Sequence, residues 1–291
     1  AIYFLFMMAG PLGYRQPPRD VAAQGKAAPT PSALFYVELA NAHRTSQFWL
    51  VWMILLLNVS ASIGIIGIAS PMLQEVFGGR LIDAPGVAFA TFDDGQRAAA
   101  ATVGAGFVGV ISLFNIVGRF LWASSSDLLG RKRSFALMTA LGALLYGVAA
   151  PSIAGKSIGL FILIFCALAS MYGGGFATVP AYLADLFGAR FVGAIHGRLL
   201  TAWSTAGILG PSVVTIMRDR QLAAGVSHEQ VYDPIYLVLA GMLALAFLLN
   251  LLVRPVHARF RVETGSWDVA MTSADLAGQE RVPNRAYPLL I

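Results

Sequence analysis

Six long apolar stretches leave this chain few choices of fold. They run over 48–70, 98–122, 134–154, 157–181, 196–217 and 234–253. A helix rises about 1.5 Å per residue, so about 20 apolar residues cross the roughly 30 Å of hydrocarbon in a bilayer. The stretches are continuous and lack the period-two alternation of barrel strands, which selects helices. Only 12% of the 291 residues are charged while 57% are apolar. A soluble domain carries roughly 25% charged residues, so most side chains here must face lipid or one another. The predicted fold class is an all-α membrane protein with six transmembrane helices, and the lipid bilayer is its first partner.

Four segments follow. Residues 1–13 form a seventh apolar run that would rise only about 20 Å. It reads as the truncated end of a transmembrane helix, which makes the sequence a fragment. Residues 14–46 hold Pro17, Pro18, Pro29 and Pro31 and are expected to be a linker, with a short amphipathic helix over 34–46. The six-helix bundle occupies 47–254, and a polar, poorly ordered tail is expected over 255–291.

Thirteen of the 20 Lys and Arg residues fall on one face, in 14–46, at Arg131–Arg133, at Arg190 and in the tail. Five fall on the other (Arg80, Arg97, Lys156, Arg218, Arg220). The positive-inside rule makes the first face cytoplasmic, in a plasma (inner) membrane with a cytoplasmic C-terminus. Because this basicity is spread among short connections, the net charge of +5 predicts no nucleic-acid partner. Cys166 stands alone, excluding an internal disulfide and a Cys-based zinc cluster, and the four histidines lack metal-ligand spacing. No metal and no cofactor are expected.

Charge inside the hydrocarbon marks function, since a central Arg costs at least about 2.5–3.5 kcal/mol. Arg119 is the deep one. It lies eight residues before Asp127, about 12 Å along the helix. Asn115 and Ser112 share its face, giving a polar stripe on the second span. A desolvated guanidinium offers a fork suited to carboxylate, which favours an anion site over an Arg snorkelling to headgroups. In the first span Asn58 and Ser62 face the same cavity or bond between helices. Tyr172, followed by Gly173–Gly175 and Pro180, marks a weakened helix that lets a ligand or another backbone approach. In the fifth span Trp203 accompanies Gly207, Gly210 and Pro211, where close packing is the favoured reading. Gly104-Ala105-Gly106-Phe107-Val108-Gly109 fits the dinucleotide fingerprint as a string, but no strand precedes it, so helix packing is expected there too. Gly67–Pro71 loosely matches Gly175–Pro180, as first and fourth spans would in a three-plus-three inverted repeat. Asp127-Leu128-Leu129-Gly130 recurs as Asp185-Leu186-Phe187-Gly188. No paired carboxylates, metal cluster or nucleophile–base arrangement lies at membrane depth, so no enzyme is expected.

The segment Asp127–Arg133 resembles the D-x-x-G-R-K loop signature of the major facilitator superfamily. Gly118-Arg119, Trp122-Ala123, Met171–Thr178 and Gly193–Trp203 further resemble its oxalate/formate antiporter family. The resemblance covers about 47–255 and implies the C-terminal half of a twelve-span fold, with the N-terminal half as missing partner. It implies secondary transport of small carboxylates by alternating access, in exchange or with protons. Arg119 would bind substrate, with Asn115, Tyr172 and Trp203 lining the cavity. Asp127, Gly130, Arg131 and Lys132 would form the gating loop. In this family a lysine of the eleventh span joins the arginine in holding oxalate. It has no counterpart in 199–217, and Trp203 takes its place. One cation matches one carboxylate, so a monocarboxylate of lactate, pyruvate or formate type is expected over oxalate. The alternatives are a carrier for a drug or sugar, or a transport-inactive sensor or scaffold.

Overall fold

The computed structural model describes residues 35–149, 157–228 and 230–263. The expected truncated helix at 1–13, most of the linker and the tail from 264 lie outside the described residues. Helices α1 (Leu39–Ala42), α2 (Ser46–Ile66), α3 (Ala69–Phe77), α4 (Asp94–Leu129), α5 (Arg131–Val148), α6 (Ile158–Phe187), α7 (Val192–Ala223) and α8 (Asp233–Leu252) account for nearly all of it. Short strands β1 (Phe35–Val37) and β2 (Arg261–Glu263) pair antiparallel. The chain is an all-α membrane protein: α2, α4, α6, α7 and α8 are each long and apolar enough to cross a bilayer. Helix α5 forms as well, but its 18 residues include Arg131, Lys132 and Arg133, and the expected span 134–154 runs into undescribed residues.

Local chemistry sets the helix ends. Thr45 caps α2 by accepting from the Phe48 amide at 3.3 Å. Asp93 and Gln96 form a reciprocal capping box before α4, at 2.8 and 3.1 Å. Helices α4 and α6 both stop at a glycine in a conformation that only glycine adopts readily, Gly130 at φ 86° and Gly188 at φ 79°. The Asp-Leu-x-Gly echo is therefore a repeated helix stop.

Two expectations need correction. The expected single span over 48–70 is broken between α2 and α3 at Gly67–Ile68. Pro71 cannot donate to the Gly67 carbonyl four residues back, and its ring crowds that oxygen, so the helix restarts. The expected amphipathic helix over 34–46 is instead strand β1 plus the four-residue α1. Val37 is fully buried, and β1 gains its backbone partners from Arg261–Glu263, which orders the start of the expected loose tail.

The principal packed pairs are α4 with α6, α2 with α7, and α5 with α8; secondary contacts join α8 to α2, α5 to α6, α3 to α4 and α6 to α7. This pattern is unchanged when α2–α3, α4 and α5 are exchanged for α6, α7 and α8. Two three-helix repeats would pack in this pattern. Each principal pair crosses at glycine. A methyl group on Gly118 would strike the Ser170 backbone, one on Gly210 the Ser60 backbone, and one on Gly142 the Leu243 side chain. Such small residues permit close backbone approach where hydrocarbon offers no hydrophobic drive. Apolar clusters fill the bundle on either side of this belt, one around Phe77, Tyr146, Phe161 and Tyr236, the other around Phe48, Phe135, Tyr182 and Phe187. The string Gly104–Gly109 lies inside α4, where Gly104 abuts Ser70 and Gln74 of α3, so it is helix packing.

Candidate functional site

Arg119 follows the crossing glycine of α4. Gly118 is buried against α6, and the next side chain therefore emerges at the edge of the contact, exposed. Its guanidinium carbon stands 5.5 Å from the ring centroid of Phe176 on α6. That ring meets Trp203 of α7 edge-on, with centroids 4.3 Å apart and planes at 89°. Tyr172, one turn before Phe176, meets the same indole at 6.4 Å. Helices α4 and α7 do not form a packed pair, so Phe176 bridges between them. Three of the four expected cavity residues thus share one cluster.

Among the described residues Arg119 has no carboxylate in ion-pair range and no hydrogen bond. Its one specific contact is the aromatic ring, which attracts the cation through its quadrupole without using an N–H donor. All five donors stay free, in a fork that fits a carboxylate.

Asn115 is placed differently. Its amide donates to the Ala169 carbonyl on α6 at 3.1 Å, and its own backbone lies against Gly173. Trp122 donates to Ser170 at 3.3 Å on the same interface, with Gly174 beneath its side chain. Gly173 and Gly174 serve the α4–α6 approach. On α2, Asn58 is buried with its amide oxygen 3.8 Å from where a Gly175 side chain would begin. Ser62 donates to the Asn58 carbonyl at 2.9 Å, and Ser112 to that of Val108 at 2.7 Å, so both hydroxyls are spent within their own helices.

The loop residues gather at the basic end. Arg131 pairs with Asp127 across Gly130 and also donates to Ser126. Lys132 donates to the Leu251 and Val253 carbonyls, at 3.0 and 2.7 Å, and so caps the end of α8. Asn250 returns a bond to the Lys132 carbonyl at 2.9 Å and accepts from Tyr182 at 3.0 Å. A cavity of about 620 Å³ lies here, lined by Asp127, Arg131, Lys132, Asp185 and Arg254 among others.

Two features escaped the sequence reading. Phe176 was no more than part of a matching string, though its i, i+4 spacing from Tyr172 carried a usable signal. Glu75 of α3 is buried and paired with Arg218 of α7, which composition had assigned to an outer connection.

No family model matches the chain. The sequence is 26% identical over 216 residues to the oxalate:formate antiporter of Oxalobacter formigenes, covering 74% of this chain and 44% of that protein. The chain therefore spans less than half the length of the curated relative that it matches. At this level the likeness is to a transporter.

Proposed function

We propose that this chain is the C-terminal six-helix half of a secondary carrier for small organic anions, of major facilitator type. The observation that carries the reading is Arg119, a guanidinium on an apolar helix whose donors are uncommitted and whose side chain rests in an aromatic cluster from α6 and α7. An unpaired cation in hydrocarbon is costly unless an anion visits it. Tyr172, Phe176 and Trp203 provide apolar walls for the rest of a small metabolite, while Asn115 holds α4 on α6 so that Arg119 stays in register. Support also comes from the packing symmetry, since inverted repeats with a midplane site are a common carrier plan.

The N-terminal half would cover the exposed apolar faces of α4 and α7, where Phe120 and Ile208 stand out 72% and 74% exposed. Alternating access would rock the two halves about Arg119, with the Asp127–Lys132 loop fastening the cytoplasmic end. The Lys and Arg imbalance supports a bacterial inner-membrane location with that loop inside. The substrate proposed is a monocarboxylate of lactate, pyruvate or formate type, because one free guanidinium balances one carboxylate and leaves a second uncompensated. Counterflow of labelled lactate and oxalate into proteoliposomes holding the full-length protein tests this. Lactate exchange should exceed oxalate exchange; the reverse order overturns the substrate assignment, and no flux of either overturns the carrier.

A further inference from the structure

At the end of the bundle opposite the Asp127 loop, Glu75 sits with its side chain 4% exposed, in a polar cluster separate from the Arg119–Phe176 contact. Arg218 donates to both carboxylate oxygens, one contact at 3.2 Å, and Tyr232 donates to Oε2 at 2.7 Å. Burial, with the Glu75 hydrogen bond acting in the same sense, raises the Tyr232 phenol above its usual value, so the hydroxyl remains a donor. Arg218 Nε and Tyr232 both donate to Oε2 and the other guanidinium nitrogen to Oε1, so of the about four acceptor positions of a carboxylate the open one is on Oε1.

His228 stands beside the same carboxylate. Its Nδ1 is buried, lacks a hydrogen-bond partner among the described residues, and stands 3.9 Å from Oε2 of Glu75. The side chain is 35% exposed and borders a cavity of about 290 Å³. That volume holds several waters. Every element around the imidazole brings its own groups: Glu75 from α3, Arg80 from the following turn, and Arg218 with Asp219 from α7. Tyr232 and Asp233 come from the start of α8, and Phe89, with Arg97 of α4 behind it, stacks edge-on to the ring. Glu229, the next residue in the chain, lies outside the described residues.

We propose that His228 and Glu75 form a proton-binding site at this end of the bundle, independent of what the carrier moves. A neutral imidazole with an unprotonated Nδ1 has nothing to give the carboxylate. A proton on that nitrogen makes it a cationic donor, and a closure of about 1 Å brings it to hydrogen-bond distance. The connection between α7 and α8, already tied to α3 by Tyr232, then gains a second attachment through His228. In the unfolded chain the imidazole keeps Glu229 as its neighbour in sequence but loses Glu75. The proposed contact forms only with the protonated ring, so it would add to the stability of the folded bundle at acidic pH and not at pH 8.

The test compares full-length wild type with His228→Gln in nanodiscs, reading the melting temperature from pH 5.5 to pH 8. Wild type should exceed the variant by roughly 2–4 °C at the acid end and match it at pH 8. The excess should vanish when both carry Glu75→Gln. A gap that is constant with pH, or that survives Glu75→Gln, overturns the proposal. His228→Lys keeps the question answerable if Glu75→Gln fails to fold. Its fixed charge should hold a pH-independent margin over His228→Gln, and a margin that changes across the range counts against the site.

Discussion

Replacing Arg119 with lysine separates the two physical reasons for an arginine at this depth. Both side chains snorkel to headgroups, so an anchoring role survives Arg119→Lys with little change. A carboxylate-binding role does not. The guanidinium presents donors in a planar fork, whereas the ammonium is a point charge that cannot make the parallel pair of bonds. Losing one charge-assisted hydrogen bond costs about 1.5–3 kcal/mol, which is roughly 12- to 160-fold in apparent affinity. The contact with Phe176 contributes about 0.5–1 kcal/mol at an exposed site, and a lysine retains part of it, so the fork dominates. The assay is saturation of labelled lactate counterflow in proteoliposomes, with the amount of inserted protein matched between wild type and variant. Half-saturation should move up by at least tenfold while insertion is unchanged. Kinetics within twofold of wild type would remove Arg119 from substrate binding and return it to the membrane surface.

Three glycine substitutions probe the scaffold. Gly118→Ala places a methyl group on the Ser170 backbone, which cannot swing aside, and should lower bundle stability by about 1–3 kcal/mol. Gly109→Ala on the same helix meets nothing within 4 Å and should be neutral or mildly stabilising; equal melting shifts for the pair would refute the crossing-point account. Gly130→Ala also has open space, yet its φ of 86° with ψ of 143° should cost about 1–3 kcal/mol by backbone strain alone. Asparagine should fail to rescue it, because asparagine tolerates the left-handed helical region and not this one; a full rescue in thermal-shift measurements would disprove the conformational reading.

Helix existence was legible because hydrocarbon thickness imposes a length that apolar runs reveal directly. Helix ends were less so: the run 98–122 marks the apolar part of α4, while the helix extends from Asp94 to Leu129 through polar turns at both ends. Hydropathy reports the crossing, and caps report the helix. The break at Gly67 had a local cause in Pro71, whereas Pro180 stays inside α6 and Pro211 inside α7, so proline alone does not predict which helix yields. In the site, Arg119 is marked by its charge, Tyr172 by the glycines and proline that follow it, and Trp203 by the family resemblance. Asn115 was chosen by helical periodicity, which places it near the face of Arg119 but cannot tell that α6 claims its amide. Phe176 looks like any lipid-facing aromatic until α7 brings Trp203 against it. The pairing of Glu75 with Arg218 joins residues 143 apart, and β1 with β2 joins the two flanks of the bundle. Neither carries a local signal.

The exchange of repeats bears on substrate as well as on fold. Gly118 and Gly210 occupy equivalent crossings, each seated on a serine backbone of the partner helix, Ser170 and Ser60 respectively. Close approach dictates glycine at both. The residue after each glycine is free of that constraint. In α4 it is Arg119; in α7 it is Pro211. The two repeats thus share a frame but differ in charge, with the cation on one side of the pseudo-twofold. A symmetric dicarboxylate lying across such an axis would ask for a cation from each repeat, and the α7 side answers with a proline and, one and two turns earlier, Gly207 and Trp203. In the proposed carrier, an anion with one charged end and one uncharged end would match this asymmetry: guanidinium toward the carboxylate, indole and phenyl toward the remainder.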